Sequence, residues 1–122
     1  MTRRKFILTT APAGFAGALP VYAAESRRIR VGFLGVAHSH ALEKFRILRD
    51  SGDYELVGVC EESETVREPF AKLGAKVISQ DELLQRAELI VVESAVRDHG
   101  RHAKLALTSG KHVHVEKPPA AS

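Results

Sequence analysis

Arg28-Ile29-Arg30-Val31-Gly32-Phe33-Leu34-Gly35-Val36-Ala37-His38-Ser39-His40 is the stretch from which the rest of the chain can be read. Arg28 to Gly35 is an apolar run closed by a glycine, the pattern of a buried strand. Ala41 to Arg49 follow, with Ala41, Leu42, Phe45 and Leu48 at helical spacing and the charges between them. The sequence therefore predicts a strand that passes through a glycine turn into a helix.

Working outward, the alternation repeats. Ser51-Gly52-Asp53 reads as a turn, and Tyr54 to Cys60 as a second strand ending at Glu61 and Glu62. Ser63 is placed to cap a helix running to Leu73, with Gly74 as its stop and Pro69 expected to kink or delay it. Lys76-Val77-Ile78 is a short third strand, and Ser79-Gln80-Asp81-Glu82 a capping box. Ala87 to Glu93 is a fourth strand, Asp98 to Ser109 a helix stopped by Gly110, and His112 to Val115 a fifth strand. Strands alternating with helices predict an α/β fold, a Rossmann-like doubly wound parallel sheet covered on both faces. Ligands bind such sheets at the carboxyl ends of the strands. The chemistry is expected just after Gly35, Cys60, Glu93 and Val115.

The first of those positions carries Gly35-Val36-Ala37-His38-Ser39-His40. In the dinucleotide fingerprint G-x-G-x-x-G the first glycine makes the tight turn, the second admits the pyrophosphate, and the third lets the helix pack on the strand. Gly35 is in place; Ala37 adds a methyl group at the second position and His40 is much larger than the third requires. Glu61 lies 26 residues after Gly35, where an acid is expected to accept hydrogen bonds from the adenosine ribose. Its charge would repel a 2′-phosphate and no arginine follows immediately, which favours NAD over NADP. The alternative is that Glu61 and Glu62 are solvated loop acids. The lone cysteine, Cys60, cannot form an internal disulfide and reads as a small buried hydrophobe, with a reactive thiol as the alternative.

The most specific stretch is Gly110-Lys111-His112-Val113-His114-Val115-Glu116-Lys117-Pro118. It resembles the G-K-H-V-x-x-E-K-P segment of the glucose–fructose oxidoreductase, inositol dehydrogenase and rhizopine-catabolism (Gfo/Idh/MocA) family. The resemblance runs from Arg28 to about Ala120. It takes in Leu56-Val57-Gly58-Val59-Cys60-Glu61, and Ser94 to His99 where the family has T-P-x-x-x-H. His99 keeps that loop's histidine, while Ala95 and Val96 replace its proline and asparagine. The resemblance implies that Lys117 is catalytic, hydrogen-bonding a substrate hydroxyl and stabilising charge that develops on its oxygen. It places Glu116 near the nicotinamide ribose and has Pro118 turn the chain into the cleft. Gly35, Val36, Ala37, His38, Glu61, Ser94, His99 and Glu116 are then the expected cofactor contacts.

Two histidine pairs, His38 with His40 and His99 with His102, are expected to open toward one cleft. Imidazoles gathered there could hold a divalent ion, but no cysteine or carboxylate accompanies them at a familiar ligand spacing, so polar contacts are expected and no metal. His112 and His114, two residues apart, share one sheet face.

Charge and the N-terminus complete the reading. The net charge of +3 belongs to Arg3, Arg4 and Lys5; the remainder holds fifteen basic and fifteen acidic residues. That balance gives no footprint for nucleic acid. Thr2-Arg3-Arg4-Lys5-Phe6-Ile7-Leu8 resembles a twin-arginine export motif, followed by an uncharged stretch to Ala24 that ends in small residues. Residues 1–24 are expected to be a cleaved signal peptide that sends the protein to the periplasm, the membrane serving only export; an uncleaved anchor is the alternative. Residues 25–122 are expected to be an incomplete NAD(P)-binding Rossmann domain. Relatives continue into a larger α/β domain that supplies most substrate contacts and the oligomer interface. The chain is therefore expected to be the nucleotide-binding half of an oxidoreductase acting on a sugar, polyol or related carbohydrate-like hydroxyl compound, oligomeric only with that further domain. Two alternatives stand beside it: a binding module without redox turnover, suggested by Ala37, His40, Ala95 and Val96, and a truncated fragment. Glycosidic cleavage through transient oxidation is a variant of the enzyme reading.

Overall fold

The computed structural model describes residues 27–117. The export segment and Pro118 lie outside the described residues. In chain order the elements are β1 (Ile29–Leu34), α1 (Ala41–Asp50), β2 (Tyr54–Cys60), α2 (Glu64–Lys72), α3 (Gln80–Arg86), β3 (Leu89–Val92), α4 (Val96–Thr108) and β4 (His112–Val115). The four strands form one parallel sheet in the order β2-β1-β3-β4.

The sequence predicts five strands, and here it needs correction. Lys76-Val77-Ile78 is not a strand of the sheet but a single parallel bridge, Val77 to Val59. Val59 N–H donates to the Lys76 carbonyl at 2.8 Å and Ile78 N–H donates to the Val59 carbonyl at 3.0 Å. Gly74 ends one turn and Ser79 caps the next helix, so too few residues lie between them to extend the pairing. Gly58 lets this segment approach β2: a Cβ there would lie 2.7 Å from Ile78 Cδ1 and 2.9 Å from the Lys76 carbonyl oxygen. The bridge extends the β2 side of the sheet. The winding thus reverses between β1 and β3, the switch point at which such sheets open a crevice.

Strand alternation sorts the core onto two faces, with a bulge at Val57 in β2 that puts Val57 and Val59 on opposite sides. Val31, Phe33, Val59 and Val91 pack with Ala41, Phe45 and Phe70 from α1 and α2. Leu34, Val57, Ile90 and Val92 pack with Leu83 and Ala106 from α3 and α4. Phe45 anchors the first face, 6.0 Å from the Phe33 ring and edge-on to Phe70 at 5.5 Å. The two serine caps are made: Ser63 Oγ accepts Val66 N–H at 3.3 Å, and Ser79 Oγ accepts Glu82 N–H at 3.1 Å. Helix α2 starts at Glu64 and runs through Pro69, which cannot donate to the Thr65 carbonyl, so the helix forms with one ladder bond missing. Helix α4 starts two residues before its predicted start, at Val96. β4 lies at the end of the sheet order, and its two histidines are exposed. Beside it a groove of about 280 Å³ is lined by Lys44, Ile47, Leu48, Tyr54, Leu89, Val91 and His114.

Candidate dinucleotide site

Four loops meet at the carboxyl end of the sheet, one after each strand. The first begins at Gly35, whose φ of +80° is open to glycine and strained for other residues. A Cβ there would fall on the Ser94 side chain and 2.8 Å from Ser94 Cα. Gly35 is thus required by its own dihedral and by the close passage of the loop after β3. Its N–H donates to the Cys60 carbonyl at 2.8 Å, and His38 N–H donates to the Glu93 carbonyl at 2.8 Å. These bonds tie the turn to β2 and β3 at once.

Val36 and Glu61 are joined directly: Val36 N–H donates to Glu61 Oε1 at 2.9 Å, and Ser63 N–H donates to Oε2 at 3.1 Å. A carboxylate has about four acceptor sites, so Glu61 keeps capacity for a ribose hydroxyl. Ala37 is exposed and His38 half-buried. No acceptor among the described residues meets the N–H of Ala37 or of Ser39. Helix α1 begins just after them with no side-chain cap. Open amides and an uncapped helix N-terminus suit an anion such as a pyrophosphate. Arg67, six residues beyond Glu61, reaches back to donate to the Glu61 and Glu62 carbonyls at 3.1 and 3.2 Å. A guanidinium therefore does stand beside the end of β2, although none follows Glu61 immediately in sequence.

Ser94 and His99 form a strut beneath the loop after β3. Ser94 is buried; its carbonyl oxygen lies 2.6 Å from His99 Nε2, and its Oγ 2.8 Å from His102 Nδ1. His99 is fully buried. Burial, with the nearby Arg101 charge, lowers the His102 imidazole below its ordinary value.

The loop after β4 carries Glu116, buried, and Lys117, exposed. Glu116 Oε2 accepts from Lys44 Nζ at 2.7 Å and pairs with His40 Nδ1 at 3.0 Å; Oε1 accepts Lys117 N–H at 2.9 Å. The Lys44 hydrogen bond and then that backbone bond hold the Glu116 carboxyl at about 2, far below its ordinary range. Lys44 also donates to Glu93 Oε2 at 2.7 Å and lies 2.9 Å from His114 Nε2. Burial pulls the Lys44 ammonium down, but its bonds to Glu116 and Glu93 outweigh this and raise it. Glu93 is fully buried, and its Oε1 has no hydrogen-bond partner among the described residues.

The structure thus brings Gly35, Val36, Ala37, His38, Glu61 and Glu116 to one edge, with Lys117 beside them; Ser94 and His99 lie buried beneath it, so His99 does not open toward the cleft as the sequence suggests. Sequence reasoning missed Lys44 and the side chain of Glu93. Glu93 was findable as a charge ending the run Leu89-Ile90-Val91-Val92. Lys44 was not, because on sequence alone it is one helix lysine among several.

A glycine turn held in the left-handed region, an acid closing the second strand and an open amide loop at the switch point define a dinucleotide-binding α/β domain. The model of the Gfo/Idh/MocA oxidoreductases, with their NAD-binding Rossmann fold, matches residues 29–122, and the chain belongs to that family. It is 36% identical over 94 residues to glucose-6-phosphate 3-dehydrogenase of Bacillus subtilis strain 168, covering 75% of this chain and 26% of that protein. Among solved structures it resembles biliverdin reductase of Synechocystis sp. PCC 6803, in complex with biliverdin and NADP+. That match has a TM-score of 0.68 and 28% identity, covering 77% of this chain and 31% of the other. It also resembles the WlbA dehydrogenase of Bordetella pertussis, in complex with NADH and UDP-GlcNAcA. Here the TM-score is 0.67 and the identity 27%, covering 79% of this chain and 30% of the other. The chain spans between a quarter and a third of the length of these relatives.

Proposed function

We propose that this chain is the cofactor-binding part of an NAD-dependent oxidoreductase that takes a hydride from a hydroxyl-bearing carbon of a sugar, polyol or similar compound, or returns one to the corresponding carbonyl carbon. The observation that carries the reading is the convergence of Gly35, Glu61 and Glu116-Lys117 on one crevice. Bound there, the nicotinamide would supply the hydride acceptor or donor. Gly35 and the amides of Ala37 and Ser39 receive the pyrophosphate, and Glu61 the adenosine ribose. Glu116, kept ionised by Lys44, accepts from the nicotinamide ribose. Lys117 places an ammonium at the substrate hydroxyl, where it stabilises charge on the oxygen as the C–H bond breaks. Glu61 disfavours a 2′-phosphate and Arg67 favours one; we place NAD first because the carboxylate itself faces the loop. The reading extends to export by the twin-arginine route, with the substrate bound outside the cytoplasm.

Titration of the intact protein with NAD and with NADP tests this. Saturable binding, tighter for NAD, is expected, lost in Gly35→Val and kept in Lys117→Ala while turnover falls. Absence of binding by either dinucleotide would replace the enzyme reading with a non-redox module.

A further inference from the structure

We infer that His38, His40 and Glu116 form a binding site for a late first-row divalent cation, Zn2+ foremost. One ligand atom from each lies within 4.8 Å of the others. The three come from two loops that the fold brings together, and the carboxylate the sequence seemed to lack is 76 residues from His40. His40 already touches Glu116 at 3.0 Å, and the His38 and His40 rings lie 4.9 Å apart. Around a tetrahedral zinc, ligand atoms sit about 3.4 Å from one another. His40 and Glu116 already meet that spacing, and His38, within 4.8 Å of both, has the remaining distance to close. His38 Nδ1 now accepts His40 N–H at 3.1 Å, a bond that coordination would replace.

Three features favour a cation here. Two imidazoles out of three donors match zinc and its neighbours rather than magnesium or calcium, and the harder carboxylate is also an accepted zinc ligand. Three protein ligands leave a coordination position open, the arrangement of catalytic zinc rather than structural zinc. The local charge is also unbalanced: Glu93 and Glu116 share the one ammonium of Lys44. A cation on Glu116 would release Lys44 toward Glu93, whose Oε1 lacks a partner. Glu93 then acts as the counter-charge that makes the exchange possible.

The test is calorimetric titration of the metal-stripped intact protein with ZnCl2, paired with the visible spectrum after CoCl2. One equivalent per chain is expected, with cobalt bands of a histidine-containing site. His38→Ala and His40→Ala, both outside the core, should each weaken binding at least about 100-fold. His112→Ala, an exposed histidine on β4, should leave it unchanged. Absence of saturable binding, binding unaffected in both loop variants, or equal loss in His112→Ala would overturn the site. The inference does not need the dinucleotide, and because both readings use Glu116 the metal titration is made without NAD. Zinc binding without any NAD response would leave it standing while removing the cofactor reading, and NAD binding without zinc binding would do the reverse.

Discussion

At the scale of single residues, Gly35 and Glu116 are held by different physics. Gly35 is fixed by space and dihedral: its φ is +80° and Ser94 occupies the volume a side chain would need. Gly35→Val should cost at least about 2 kcal/mol of stability, read from urea unfolding, in addition to its loss of dinucleotide binding. Glu116 is fixed by charge. Its folded-state value of about 2 lies below the ordinary 4.5, so its stabilising contribution is complete above 4.5 and is lost as pH falls toward 2. The stability difference between the wild type and Glu116→Gln should therefore be largest near neutrality and shrink across that window. Urea midpoints measured at several pH values check this; a difference that stays constant or grows on acidification would contradict the Lys44 pairing. The lysine could not be singled out in sequence, since its role depends on two carboxylates that only the folded sheet delivers.

At the scale of elements, most of the architecture was legible because its signals are local. Ser63 and Ser79 announce their helices, and both side chains make the expected bonds. Tyr54–Cys60 and His112–Val115 have the boundaries their apolar patterns predict. Lys76-Val77-Ile78 was over-read because β-branched composition says nothing about how many residues the flanking turn and cap leave free to pair. Pro69 does not delay α2, because the Ser63 cap sets the start of the helix upstream of it. Helix α1 is the element on which the site most depends, since it bears Lys44 on one turn and Phe45 in the core. Phe45→Ala removes a fully enclosed ring between Phe33 and Phe70 and should cost about 3–5 kcal/mol. Thermal or urea denaturation measures it, and a cost below 1 kcal/mol would mean that α1 is not seated by this contact.

At the scale of the whole molecule, the crevice joins parts distant in sequence, so ligand binding and global stability are linked. A dinucleotide that binds only the folded state should stabilise it by about 2.7 kcal/mol at 100 times its Kd. A thermal shift that rises with NAD concentration and is absent in Gly35→Val is the expected record. The fold class and its crevice could be read from the order of strands, turns and acids. The polar cluster under the crevice could not, because His40, Lys44, Glu93 and Glu116 meet only through tertiary packing. Lys44 reaches from a helix to the ends of β3 and β4 simultaneously. It works as a rivet joining three elements in two layers, and shortening it would free the rim of the sheet to breathe before the centre melts. Amide exchange should then quicken at Glu116 and Lys117 while Val31 and Phe33 stay slow, so the molecule would lose its grip before it loses its shape.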